Sequence, residues 1–204
     1  MTQPAVLESA AALSSVMDMA RGRLTVCTDT VRMRVTDMRG VFSNQEACST
    51  LETEGNPTVY EVNRTEPELG DDSLCYASTI VYPGRVGEEY FMTRGHTHVK
   101  GSAPEIYLTV RGEGMMLLQT HDGKIQALSM ASGTILYVPG ETAHRIVNVA
   151  EEALITFAVY PATAGIDYDE IQRTGFSRIV HAGPDGPDLV PNPNYPSTVE
   201  GITS

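Results

Sequence analysis

From Leu74 onward the chain alternates apolar and polar positions in short runs. Leu74–Tyr82, Glu89–Arg94, Glu105–Arg111, Met115–Thr120, Lys124–Ser129, Thr134–Val138, His144–Asn148 and Leu154–Tyr160 each read as a strand, separated by Gly, Pro, Asp and Asn clusters. Strands this short and closely spaced, with no helical period between them, predict a sandwich or small barrel, not βαβ units. His121-Asp122-Gly123 predicts a hairpin with a type I′ turn, since Gly accepts positive φ. Before Thr25 the period changes. Val6, Ala10, Leu13, Met17 and Ala20 recur at steps of three and four and end at Arg21-Gly22-Arg23, which predicts an amphipathic helix docked on the body or on a partner subunit. A short helix is expected around Asp167–Arg173, and the Pro-, Gly- and Asn-rich stretch beyond Gly183 reads as an extended surface tail or as disordered chain. The domain plan is a helix over 1–24, one barrel domain over 25–183 and a tail over 184–204.

Charge and cysteine content narrow the function classes. Fourteen Lys+Arg against 26 Asp+Glu leave a net charge of −12, which argues against nucleic acid and anionic membranes as partners. A small anion bound by a few donors in a cleft stays open. Cys27, Cys48 and Cys75 are an odd number in a chain long enough to build a core, so no disulfide framework is indicated and a reducing cytosol fits. Glu8 and Asp18 stand where a signal peptide would be basic. The longest apolar stretch, Ala153–Ala162, is interrupted by Thr156 and too short to span a bilayer, so the chain reads as cytoplasmic and untargeted.

The chemistry concentrates around His96 and His98. At i, i+2 on a strand both imidazoles point to one face and can meet one ion. Glu105, Tyr107 and Thr109 share one face of the following strand, while Ile106, Leu108 and Val110 share the other, so the carboxylate and the phenol project together into the lumen of a small barrel. With His144 these residues form a mixed N/O set suited to a divalent transition ion. His121 and His181 read as exposed, Cys75 as a small buried apolar residue, and Met115–Leu118 as core strand.

Two stretches resemble the paired motifs of the cupin superfamily. One runs Gly95-His96-Thr97-His98, then six residues to Glu105 and six more to Gly112; the other runs Gly133, Pro139, His144, Asn148. The general cupin pattern places the glutamate three or four residues after the H-x-H and a glycine two after the proline, whereas here Glu105 is later and Gly140 follows Pro139 directly. The longer spacing belongs to one branch, and the chain resembles the cupin-type (archaeal-type) glucose-6-phosphate isomerases. Tyr82-Pro83-Gly84-Arg85-Val86-Gly87, Thr93–His98, Met116-Leu117-Leu118-Gln119, Tyr137-Val138-Pro139, Ala143-His144-Arg145, Tyr160-Pro161-Ala162, Asp167-Tyr168 and Gly175-Phe176-Ser177 match that family in order, over roughly Thr30 to Ile179.

The resemblance implies an all-β, jelly-roll-like cupin barrel (a double-stranded β-helix) and a homodimer interconverting glucose 6-phosphate and fructose 6-phosphate in glycolysis and gluconeogenesis. It implies one metal ion on His96, His98, Glu105 and His144, with iron(II) the first choice before manganese, nickel or zinc. Glu105 would be the base of an enediolate route; in a hydride shift Glu105 would be only a ligand and Tyr107 a proton donor. Thr79, Thr93 and the Gly95 amide would contact the phosphate, and Tyr160 and Tyr168 would line the substrate, all neutral donors because cations near the motifs are few. Where relatives commonly carry histidine before the Asp-Tyr pair, this chain has Ile166. A metal-dependent cupin oxygenase or oxidase and a non-catalytic sugar-binding cupin are the competing readings. The long gap before Glu105 and the complete ligand set argue against them.

Overall fold

A computed structural model describes residues 13–67 and 70–196. In chain order it comprises β1 (Met17–Asp18), β2 (Arg23–Leu24), β3 (Asp29–Arg34), α1 (Gln45–Thr53), β4 (Thr58–Thr65), β5 (Leu74–Val81), β6 (Arg85–Val86), β7 (Glu89–Tyr90), β8 (Glu105–Arg111), β9 (Glu113–Gln119), β10 (Ile125–Ala131), β11 (Ile135–Val138), β12 (Ala143–Asn148), β13 (Leu154–Pro161), α2 (Asp169–Thr174), β14 (Arg178–Gly183) and β15 (Gly186–Pro191). The strands pair antiparallel throughout. The most extensive sheet runs β11-β8-β13-β5-β4-β3; β10-β9-β12 forms a second, β15-β14-β7-β6 a third, and β1-β2 a two-stranded ribbon. This is the all-β arrangement of short antiparallel strands that the strand pattern predicts.

Packing follows from alternation along each strand. Val59, Val81, Met116, Leu117, Val147 and Leu154 are buried on the six- and three-stranded sheets and belong to the core, joined by Phe42 and Phe176 from the connecting segments. Register then arranges the inner face of the extensive sheet in cross-strand rows. Val62, Thr79, Thr156 and Thr109 make one, and Arg64, Ala77, Ala158 and Tyr107 make the next. In the second row two methyl groups separate the two long side chains, so a hollow opens over the alanines.

Three expectations need correction. Residues 17–24 form a hairpin and not the end of a helix: Asp18 Oδ1 accepts from the amides of Ala20 (3.0 Å) and Arg21 (3.1 Å), and its carbonyl accepts from Gly22 (2.7 Å). The spacing that mimics a helical stripe instead places Leu13 and Met17, with Leu24, over Tyr76 and Phe157 on the outer face of the sheet. Val6 and Ala10 lie outside the described residues. The turn at 121–123 is not type I′, because only Gly123 has positive φ (76°) and its amide bonds back to Thr120 O at 2.8 Å. It is a type I turn followed by a left-handed Gly, the three-residue hairpin loop. Finally, residues 184–191 do not leave the fold. Pro184-Asp185 turns the chain, and β15 pairs with β14 along its whole length. Pro sets φ and Asp favours the turn, so the signal was present in a stretch whose composition suggests a tail.

Candidate metal centre

His96 and His98 sit on an irregular segment rather than a regular strand, and the backbone of His144 holds that segment in place. His96 N donates to His144 O (3.2 Å) and His144 N donates to His96 O (3.0 Å). Close approach requires Gly95, whose φ is +82° and where a Cβ would lie 3.1 Å from His144 O and 2.7 Å from the Phe176 ring. Thr93 ties the same two segments: its amide donates to Ile146 O (2.9 Å) and its hydroxyl oxygen accepts from Ile146 N (3.1 Å). The hydroxyl hydrogen of Thr93 remains free to donate.

Glu105 opens β8 with its side chain inward, as the face-sharing of Glu105, Tyr107 and Thr109 predicts; all three are buried while Ile106 is exposed. One ligand atom from each of His96, His98, Glu105 and His144 lies within 4.8 Å of the others. Glu105 Oε2 is 3.4 Å from His98 Nε2 and 3.0 Å from His144 Nε2. Both nitrogens of His144 and Oε2 of Glu105 are nonetheless buried without an aligned hydrogen-bond partner among the described residues. His98 Nδ1 lies 2.8 Å from Ala103 O, and donation there leaves the Nε2 lone pair facing the centre.

Electrostatics agree with a pre-formed cation cage. Burial holds His96 neutral, well below the usual imidazole range, with the neighbouring His144 adding to the effect. Burial works against the charged form of His98, but Glu105 and the Ala103 carbonyl outweigh it and raise its pKa. Burial likewise opposes the Glu105 carboxylate, and the imidazoles of His144 and His98 overcome it, leaving the carboxyl well below its ordinary range. Unpaired imidazole nitrogens and an unpaired anionic oxygen, all buried and convergent, are costly unless something cationic joins them. The donor set and its orphaned atoms therefore fit a divalent transition ion.

The centre opens into a cavity, the concave setting of a small-molecule site. Its wall contains every residue the sequence singles out: Thr79, Thr93, Gly95, His96, His98, Glu105, Tyr107, His144, Tyr160 and Tyr168, with Ile166 among them. Burial, then the Glu105 charge, raises the Tyr107 phenol far above its usual range, so it stays a donor. Burial also raises Tyr160, whose hydroxyl lies 3.3 Å from Glu66 Oε1. The Arg94 guanidinium stands 5.4 Å over the Tyr168 ring. Sequence reasoning missed Tyr60, Val62 and Arg64, which line the same cavity from β4. Alternating β-branched and aromatic residues between Pro57 and Pro67 were the available signal.

Residues 32–188 match the family described as Glucose-6-phosphate isomerase (GPI). The chain belongs to that family. It is 44% identical over 164 residues to the glucose-6-phosphate isomerase of Thermococcus litoralis, covering 80% of this chain and 86% of that one. Over 189 residues it is 41% identical to the enzyme of the same name from Thermococcus onnurineus, covering 93% and 99%. Pyrococcus furiosus has one that is 43% identical over 162 residues. An oxalate oxidase structure overlays with a TM-score of 0.48 at 16% identity, over 57% of this chain and 58% of that one. This member of the glucose-6-phosphate isomerase family brings three histidines and a glutamate together and puts an apolar side chain, Ile166, on the cavity wall.

Proposed function

We propose that the chain interconverts D-glucose 6-phosphate and D-fructose 6-phosphate at this cavity. Family membership together with the convergence of His96, His98, Glu105 and His144 carries the reading. Those four residues would hold one divalent ion, iron(II) first and manganese, nickel or zinc next, and a bound ion would polarise the sugar carbonyl and offset negative charge on the reacting oxygens. Tyr168 and Tyr160 orient the open-chain sugar, while Thr79, the Thr93 hydroxyl and the Gly95 amide donate to its phosphate. Two routes use the remaining residues. In one, Glu105 accepts the C2 proton as the C1=C2 bond forms, the O2 proton passes to O1, and Glu105 returns a proton to C1. In the other, hydride moves from C2 to C1 while Tyr107 mediates the proton exchange between the oxygens. Deuterium from solvent at the transferred position marks the first; its complete absence marks the second.

A coupled assay of fructose 6-phosphate turnover, before and after chelation and with each metal added back, tests the assignment. Activity lost with the metal and restored with it is expected; metal-loaded protein that turns over no hexose phosphate overturns the reading. No described helix is long and apolar enough to cross a membrane. Free thiols at Cys27, Cys48 and Cys75 support a reducing cytoplasm. Exposed Ile106, Ile135 and Tyr137 on the outer face of β8 and β11 support a homodimer. Light scattering at a monomer's mass would remove that part.

A further inference from the structure

We infer that a second cavity, lined by the guanidinium groups of Arg39, Arg94 and Arg145, is a binding site for a compact dianionic oxyanion, the phosphoryl or dicarboxylate group of a small metabolite. It lies outside the substrate cavity, and Arg145 is the one residue that lines both. Three cations around one hollow stand out in a chain with 14 Lys+Arg among 204 residues and a net charge of −12. No carboxylate lines that hollow among the described residues; the rest of its wall is apolar apart from the neutral amide of Gln172 on α2.

The protein positions each guanidinium and leaves it short of partners. Arg145, on β12, is 1% exposed, packs 4.3 Å from the Phe176 ring centroid and donates through Nη2 to Arg94 O at 2.6 Å. Arg94 donates through Nη2 to Asp37 O at 2.9 Å. The Nε of each is buried without a hydrogen-bond partner among the described residues. Neither side chain closes an ion pair there either. Glu89 lends Arg145 a favourable field from a distance, but its Oε2 is occupied by the Ser43 amide at 2.8 Å and the Ser43 hydroxyl at 2.9 Å. A buried guanidinium with orphaned N–H groups and no paired anion is a costly arrangement, and an oxyanion in the cavity removes that cost. Arg39 closes the site from the surface. Glu52 takes its Nε and Nη2, which leaves Nη1 for a ligand. Guanidinium forks match the oxygens of a phosphoryl group or a carboxylate, and a volume of about 110 Å³ suits one such group.

Calorimetry with inorganic sulfate on the metal-loaded full chain tests the site, with Arg39→Gln, Arg39→Lys and Gln172→Glu beside wild type. Neither position lines the substrate cavity, so metal content and basal hexose-phosphate turnover should stay at the wild-type level. Arg39→Gln removes one charged hydrogen bond and should weaken sulfate by roughly 10- to 100-fold, with Arg39→Lys recovering part of the loss. Gln172→Glu, which adds a carboxylate to the same hollow from a different element, should abolish binding there. Titrations with inorganic phosphate and with malonate then separate the two sources: the anion that binds more tightly, with the same dependence on Arg39 and Gln172, names the ligand's charged group. No sulfate binding to wild type, or an affinity equal in wild type, Arg39→Gln and Gln172→Glu, would overturn the inference and leave the isomerase reading intact. Sulfate binding that depends on both positions, in a protein that isomerises no hexose phosphate, would uphold the inference and sink that reading.

Discussion

The two ends of the cavity are built on opposite principles. At the candidate metal centre Glu105 and His144 are buried and His96 and His98 partly so, two of the three histidines are locked backbone to backbone, and His98 is oriented by a carbonyl. At the other end Arg64, Glu66 and Tyr160 are partly exposed and joined by contacts of 3.3 and 3.4 Å. On the proposed reading the side chains that meet the reacting atoms are held fixed, while the cluster around Glu66 is looser and more exposed. Preorganisation at the reacting atoms avoids reorganisation during the step, whereas a binding group satisfied by a neighbour in the free state avoids standing bare in the cavity.

Removing a ligand should expose the contrast most. His144→Ala, by deleting an imidazole and leaving Glu105 Oε2 without it, should lower metal content and rate together, with activity falling at least about 100-fold; metal analysis beside the assay checks this, and full metal occupancy in the variant would break the picture of a closed cage. Gly95→Ala comes next. A Cβ at φ +82°, 2.7 Å from the Phe176 ring, should cost roughly 1–3 kcal/mol, seen as a Tm lower by several degrees and as weaker metal retention; a Tm equal to wild type would mean the His96–His144 clamp has slack. The mildest test pairs two phenols. Tyr107→Phe should lower kcat about 10-fold with KM nearly constant, and Tyr160→Phe should raise KM a few-fold with kcat nearly constant. If both variants change the same parameter, the two ends of the cavity do not divide the labour.

How much of this was legible in the sequence differs between the two ends. The four convergent side chains were readable because a metal site demands particular atoms, and strand alternation told which way Glu105 and Tyr107 face. β8 matches its predicted bounds at both ends, and the strands around it match to within a few residues. The wall built by β4 was not readable. That strand carries polar residues on both faces: Tyr60, Val62 and Arg64 turn inward, and Glu61 on the outside is 3% exposed, paired with Arg32 at 2.9 Å and with Arg23 at 3.4 Å from β2. Period-2 hydrophobicity disappears when a buried carboxylate is neutralised from another part of the chain. The hairpin over 17–24 misled for a related reason. Apolar steps of three and four fit a helix, but the turn formed around Asp18 satisfies the backbone locally and spends the same apolar residues on a sheet that lies far along the sequence.

The mutual backbone pair between His96 and His144 bears on how the protein acquires its ion. On the proposed reading each ligand is placed by strands, a glycine and backbone carbonyls, which predicts an apoprotein that folds first and is loaded afterwards, unlike small domains in which the ion is the folding nucleus. Because the polypeptide presents the same three nitrogens and one oxygen whatever arrives, affinity alone ranks the first-row ions by their chemistry, and supply decides among them. The identity of the working ion is then a property of the compartment in which the chain is made, and one polypeptide can be recharged with another ion without being refolded.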